Sequence, residues 1–286
     1  MENITVIADC GATKCDWVAL DENNNEVLRT STLGMSPHYV NAEQISQLVH
    51  ESGDLQSIAK GTKALYFYGA GCSSPIDQKT VADGLSLLFS NADLNIDHDL
   101  MGAAHATFQG EPCFACILGT GANATFFNGD STHKAIPSLG FILGDEGSGA
   151  FIGKLLTKAH FYGDMPGHLS KAFESEFDIT LDKLMQHLYN KPYPNRYMAS
   201  LSRFAGKYRE EPFIQSVLNE AFTAFFSVQI FCYDYAEKHP INFVGSIANV
   251  FEEELRIVAK QMGLTIGKIV GKPLDGMINY HIEQRQ

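Results

Sequence analysis

One short pattern occurs twice in the chain and limits its fold more than any other feature: an apolar strand, a glycine-marked turn and a returning strand. The first copy is Ile4-Thr-Val-Ile-Ala-Asp-Cys-Gly-Ala-Thr-Lys-Cys-Asp-Trp-Val-Ala-Leu20, which reads as two strands joined by a tight turn at Gly11 to Lys14. A second turn at Asp21-Glu-Asn-Asn-Asn25 leads to a third strand, Val27 to Leu33. The second copy runs from a strand at Phe114 to Leu118, through Gly119-Thr-Gly121, to a returning strand at Ala124 to Phe127 and a third at Ser131 to Ile136. Repetition of a whole supersecondary unit predicts two related halves, with a break near Phe108 to Pro112.

Strands and helices alternate between and after these copies. Ile45, Leu48 and Val49 mark one face of a helix from about Ala42 to Glu51. Ala64 to Tyr68 is a buried strand ending in Gly69-Ala70-Gly71, followed by a helix from about Asp77 to Phe89 and a short strand at Leu94 to Asp97. A mostly helical stretch spans about Gly147 to Glu237. Then come a strand at Ile241 to Val244, a helix from about Val250 to Met262, a strand at Ile266 to Val270 and a last helix from Asp275 to Glu283. This is an α/β protein.

The 286 residues are 45% hydrophobic, enough for two cores of ordinary size. A net charge of −12 argues against a general nucleic-acid or membrane-surface binder, since either needs a basic face. Met1-Glu2-Asn3 runs straight into a strand without a basic leader, and no apolar run approaches the roughly 20 residues that span a bilayer. A cytoplasmic protein is expected. Cys113 and Cys116 form a CxxC inside a strand, where buried structural thiols are expected rather than a redox or metal pair. Trp17 reads as packing, and the histidines lack zinc-site spacing.

The turn Asp9-Cys-Gly-Ala-Thr-Lys14 carries small residues where backbone could approach a ligand closely, and its N–H groups could converge on phosphate oxygens. Asp9 could hold Mg²⁺ through water, and Lys14 could contact phosphate as a point charge. Gly119-Thr-Gly121 repeats that arrangement. A third element, Phe243-Val-Gly-Ser-Ile-Ala248, ends a strand in glycine just before a helix and would suit an adenosine packed on the strand end. Each turn alone is also an ordinary hairpin or strand end; their order along the chain is the signal.

With these turns, and above all with Pro137-Ser-Leu-Gly-Phe-Ile-Leu-Gly-Asp-Glu-Gly-Ser-Gly149, the chain resembles the acetate and sugar kinase, actin and heat-shock chaperone superfamily. Within it, the chain is most similar to the N-acetylglucosamine kinase group and the related BadF/BadG/BcrA/BcrD ATPases. The resemblance implies two ribonuclease-H-like lobes flanking a central cleft: residues 1–110 with a C-terminal helix of about 275–286 packing back on them, and residues 111–274, elaborated with helices. It implies ATP with Mg²⁺, phosphate loops at Gly11, Ala12, Thr13 and Lys14 and at Gly119, Thr120 and Gly121, and an adenosine site at Gly245, Ser246 and Ala248. Asp99 matches the family's general base, although its place before a small-residue helix also suits an N-cap; Asp97 is the weaker candidate. Asp145 resembles the carboxylate that bonds sugar hydroxyls, with Glu146 supporting it or capping the next helix. Thr120, Gly69, Ala70, Gly71, Ser36 and His38 fall where sugar-contacting loops lie.

Two departures concern the acceptor. The group tends to carry an asparagine in the loop around Ser36 to His38, which here reads Ser-Pro-His, and often an aromatic where Leu139 stands. The resemblance therefore implies an amino-sugar kinase, N-acetylglucosamine first, with a small-molecule partner and a homodimer left open. The alternatives are a BadF-like ATPase that activates a partner, and a sugar sensor that has lost catalysis.

Overall fold

The computed structural model describes residues 3–11 and 14–284. The chain forms two compact units, Met1–Phe108 with Lys272–Gln286, and Gln109–Gly271. In the first, β1 (Ile4–Cys10), β2 (Lys14–Leu20), β3 (Glu26–Leu33), β4 (Thr62–Gly69) and β5 (Asp93–His98) make one sheet in the order β3-β2-β1-β4-β5. The first three strands are antiparallel, and β1, β4 and β5 run parallel. In the second unit β6 (Cys113–Leu118), β7 (Ala122–Phe127), β8 (Thr132–His133), β9 (Ile241–Val244) and β10 (Ile266–Val270) repeat the same order, read as β8-β7-β6-β9-β10. Both sheets are mixed α/β layers of one topology.

The helices of the first unit are α1 (Ala42–Glu51), α2 (Gly53–Ala59), α3 (Pro75–Ser86) and α4 (Asp99–Thr107). Those of the second are α5 (Gly140–Leu143), α6 (Gly149–Tyr162), α7 (Gly167–Phe177), α8 (Leu181–Tyr189), α9 (Pro194–Leu201), α10 (Arg203–Lys207), α11 (Pro212–Phe225), α12 (Ser246–Val250) and α13 (Glu252–Gln261). The last, α14 (Leu274–Glu283), belongs to the first unit. Among the described residues no helix is long and apolar enough to cross a membrane.

Several boundaries differ from the sequence expectations. The segment at 53–59 is helical: Ser52 accepts the Leu55 N–H and starts α2 one residue after α1 ends. The strand expected at Ser131 to Ile136 shrinks to Thr132–His133, because a turn at Asn128 takes Ser131 N–H, and beyond His133 Ala135 N–H bonds the Tyr233 hydroxyl instead of a strand. The helix expected from about Val250 to Met262 runs from Glu252 to Gln261, and a short helix, Ser246–Val250, precedes it across Phe251. Phe226–Ile230 continues α11 as a π-helical turn, for which the sequence carries no marker.

Alternation along β1 divides its side chains between two covered faces. Ile4, Val6, Ala8 and Cys10 join a buried cluster with Trp17, Phe67, Phe89 and the inner faces of α1, α2 and α3. Trp17 is 1% exposed, and its Nε1 donates to Thr32 Oγ1 at 3.0 Å, so it is a packing residue. The opposite face is covered by α4 and α14. There a built Cβ on Gly276 would lie 2.3 Å from the Ala106 carbonyl oxygen, and one on Gly102 2.5 Å from Met277 Cε. The backbones of α4 and α14 touch because both positions lack side chains.

The same interface contains a buried polar bridge. Tyr68 Oη lies 2.9 Å from both His105 Nδ1 and His281 Nε2, donating to one ring and accepting from the other. His105 also stacks on Tyr280, with centroids 3.8 Å apart. Burial, helped by His281 and His98, pushes the His105 pKa down from 6.5 to about 3. The neutral ring is therefore part of the fold.

Substitutions in this unit should separate packing from protonation. Gly276→Ala should cost about 1–3 kcal/mol in urea unfolding, because the methyl meets backbone. Gly53→Ala, with nothing within 4 Å of the built Cβ, should be neutral or stabilising by about 0.5 kcal/mol. For His105 the unfolded chain binds the extra proton below pH 6.5. Its contribution is thus complete above that value and is lost as pH falls toward 3. His105→Gln should remove on the order of 2 kcal/mol of the stability difference between pH 7.5 and pH 4.5.

Candidate functional site

In the first unit the candidate residues gather at the carboxyl ends of the three parallel strands. Cys10 pairs with Gly69, and Gly69 with His98, so β1, β4 and β5 finish level with one another. Ala70 N–H donates to the Cys10 carbonyl at 2.8 Å, which holds Gly69–Gly71 beside the first turn. A Cβ built on Gly71 would be 2.7 Å from Ser36 Oγ and 3.5 Å from His38 Cδ2. The Ser36–His38 turn therefore sits directly against Gly71, with Ser36 buried and His38 exposed. Gly11 N–H donates to the Lys14 carbonyl at 2.9 Å and closes the hairpin. Ala12 and Thr13 lie outside the described residues. Lys14 is exposed and forms an ion pair with Asp16 at 2.6 Å.

Asp9 and Asp99 reach the same region from different elements. Asp9 is one residue from the end of β1 and, by alternation, faces the α4 side of the sheet. Asp99 is the first residue of α4. Burial first, then the charges of Asp99 and Asp16, push the Asp9 pKa up from 3.8 to about 7. This concentration of carboxylates suits a hard cation with oxygen ligands. Among the described residues no group of three or more His, Cys, Asp or Glu could hold a metal ion. Asp99 is not the cap of α4. His98 is, accepting the Met101 N–H on Nδ1 at 3.1 Å, while Asp99 Oδ1 takes the Leu100 N–H at 2.9 Å. Asp97 turns to His98, its Oδ1 accepting the His98 backbone N–H at 2.7 Å.

The second unit builds a matching edge. Gly119 and Thr120 carbonyls accept the Gly149 and Ala150 N–H groups at 2.8 and 3.2 Å, which ties the Gly119–Gly121 turn to the start of α6. Asp145 has a left-handed backbone (φ 60°) and packs on that turn. Its Oδ1 accepts the Ala122 N–H at 3.2 Å, and a Cβ on Gly121 would lie 2.8 Å from its Oδ2. Burial raises the Asp145 pKa; the Ala122 N–H and the charge of Lys154 work against that rise. Ser148, not Glu146, caps α6. Gly245 (φ 122°) is required by contact, because a Cβ there would stand 2.3 Å from the Leu118 carbonyl. It places the start of α12 beside the Gly119 turn. Ser246 is exposed, whereas Ala248 is buried and offers a ligand only its backbone.

Sequence reasoning missed Lys154. Its Nζ donates to the Phe141 carbonyl at 2.8 Å and lies 5.4 and 5.3 Å from the Phe141 and Phe151 ring centres. It thereby braces the 140–143 segment beside Asp145. The signal available was a lone lysine in the apolar run 149–157. Leu139, where an aromatic was expected, is 61% exposed.

No protein-family model and no curated protein sequence matches the chain. Among solved structures it is similar to a candidate N-acetylglucosamine kinase from Porphyromonas gingivalis, with 32% identity, TM-score 0.93, and coverage of 99% of this chain and 100% of that one. The chain belongs to the N-acetylglucosamine kinase-like sugar kinases. Two further structures share the fold alone. A candidate N-acetylglucosamine kinase from Chromobacterium violaceum has 16% identity and TM-score 0.74, with 98% and 99% coverage of the two chains. A ROK family glucokinase from Streptomyces griseus, in complex with glucose and AMPPNP, has 12% identity and TM-score 0.60, with 99% and 100% coverage. The actin-like architecture of these kinases is the doubled strand order described above.

Proposed function

We propose that this kinase-family member transfers the γ-phosphoryl group of ATP to a hydroxyl of an amino sugar, N-acetylglucosamine being the first candidate. The observation that carries the reading is that Asp9, next to last in β1, and Asp99, first in α4, both stand at the carboxyl ends of the parallel strands, which finish level with one another. Such a pair can divide metal binding from proton acceptance.

In this reading the Gly11–Lys14 and Gly119–Gly121 turns hold phosphate oxygens, with the Gly11 and Gly119 N–H groups already spent on the Lys14 and Gly121 carbonyls and so not among the donors, and Gly245 to Ala248 supports the adenosine. Asp9 would hold Mg²⁺ through water, and the ion would supply charge neutralisation at the phosphates. Asp99 accepts the proton of the attacking hydroxyl. That hydroxyl oxygen bonds to the γ-phosphorus as the bond to the bridging oxygen breaks, and ADP departs. Asp145 accepts hydrogen bonds from sugar hydroxyls, oriented by the Ala122 N–H it already binds and braced by Lys154. The Ser36–His38 turn and Gly69–Gly71 contribute the remaining acceptor contacts; Ser-Pro-His and Leu139 favour an acceptor somewhat different from that of the rest of the group.

Two measurements test the roles. With ATP and a panel of hexoses and N-acetylhexosamines, Asp99→Asn should lower kcat about 10²- to 10⁴-fold and leave the sugar KM within a few-fold. Asp145→Asn should instead raise the sugar KM about 10- to 100-fold, the value of a hydrogen bond to a charged group. Full activity in Asp99→Asn removes it as the base. ATP hydrolysis without any phosphorylated sugar would favour the partner-activating ATPase.

A further inference from the structure

The first phosphate turn is flanked by a pair of cysteines that the proposed mechanism does not use. Cys10 ends β1 and Cys15 is the second residue of β2, and the two stand directly opposite in the antiparallel ladder. The next pair outward, Gly11 and Lys14, is joined by the Gly11 N–H to Lys14 carbonyl bond. Pairs alternate along such a ladder, so Cys10 and Cys15 occupy a non-hydrogen-bonded position, where Cα atoms lie about 4.5 Å apart. That separation falls inside the range of about 4.4–6.8 Å seen across disulfides. Opposed residues also point to the same face, and both thiols join the same buried cluster under α1, α2 and α3.

Both thiols are free and buried, at 1% and 0% exposure, but the neighbouring Gly11 and Lys14 are exposed. The Cys10 sulfur also accepts the Met35 N–H at 3.3 Å, and Met35 immediately precedes the Ser36–His38 turn. A change at this sulfur is therefore felt on both sides of the candidate site: in the phosphate hairpin and in the acceptor turn.

We propose that Cys10 and Cys15 are a reversible oxidation site, closing to a cross-strand disulfide with hydrogen peroxide and thereby weakening nucleotide binding. One sulfur attacks the peroxide, forming an S–O bond as the O–O bond breaks and releasing water. The second sulfur displaces the sulfenic oxygen, forming S–S as S–O breaks. The two thiol protons leave in the water released, and the thiols' two electrons reduce the peroxide. The bond draws the Cβ atoms to about 3.8 Å from the roughly 4.5–5.5 Å of an open cross-strand pair, narrowing the hairpin at its base. It also redirects the sulfur that holds Met35. Both thiols are buried in the cluster under α1, α2 and α3, so oxidation requires local opening of this end of the sheet, and a nucleotide seated on the turn should slow it. This effect on binding rests on the proposed ATP site; the disulfide itself does not.

The test begins with a fluorescent ATP analogue titrated into the reduced full chain, followed by hydrogen peroxide treatment, alkylation and peptide mapping by mass spectrometry. The expected result is a Cys10–Cys15 link, weakening of nucleotide affinity by about tenfold or more, recovery with dithiothreitol, and slower linkage when ATP is present. Cys15→Ala should form no such link and keep its affinity after peroxide. Cys72→Ala should still respond; it is included because Cys72 lies near Cys10 and could compete for it. No link while the part-exposed Cys232 oxidises, or a Cys10–Cys72 link instead, overturns the pair. A Cys10–Cys15 link with unchanged nucleotide affinity overturns its effect on binding. Failure of the reduced protein to bind nucleotide at all counts against the proposed function, not against the disulfide.

Discussion

The position of β1, antiparallel to β2 and parallel to β4, governs the chemistry of the whole first unit. The antiparallel partner supplies the glycine hairpin, and the parallel partners β4 and β5 end level with it, bringing Gly69 and His98 to the same edge. Alternation then sends Cys10 into the core against Met35 and Asp9 to the other face, toward α4. One strand thus packs the core with one face and carries a carboxylate on the other. The second unit obeys the same constraint through β6, whose end is crowded by Gly245 so closely that only glycine fits.

A carboxylate on a helix is only as well placed as the helix. Asp99 opens α4, a helix of nine residues whose own composition, rich in alanine with a glycine, gives it little to grip. Its location comes from α14, which returns from the end of the chain to meet α4 at Gly102 and Gly276, and from the Tyr68 bridge between His105 and His281. Burying two imidazoles around one hydroxyl is tolerable because each ring nitrogen facing it is satisfied and burial holds the His105 ring neutral. In the second unit Lys154 does comparable work for Asp145, countering the charge that burial penalises.

Much of this was legible from local pattern. Amphipathic spacing located α1, the glycine turns located the hairpins, and the apolar runs located the buried strands, because these features depend on neighbours within a few residues. Local pattern misleads where a distant partner decides. Thr132–His133 is short because beyond it Tyr233, 98 residues along the chain from Ala135, takes the Ala135 N–H. His98 rather than Asp99 caps α4, since the strand carries straight into the helix and leaves the carboxylate one position too late for the cap. Lys154 carries no motif, as its partners Phe141 and Phe151 lie on the short helix α5 and about one turn back on its own helix.

The periodicities, the two glycine hairpins and the Gly-Asp-Glu-Gly-Ser stretch are written in the chain itself, since short-range sterics and backbone that must approach closely set all three. Which carboxylates become neighbours is settled only in three dimensions. Asp9 and Asp99 are distant in the chain, and only parallel pairing of β1, β4 and β5, with α4 clamped by α14, brings their charges together. Desolvation and mutual repulsion, which tune those groups, are properties of that assembled surface and of no single segment.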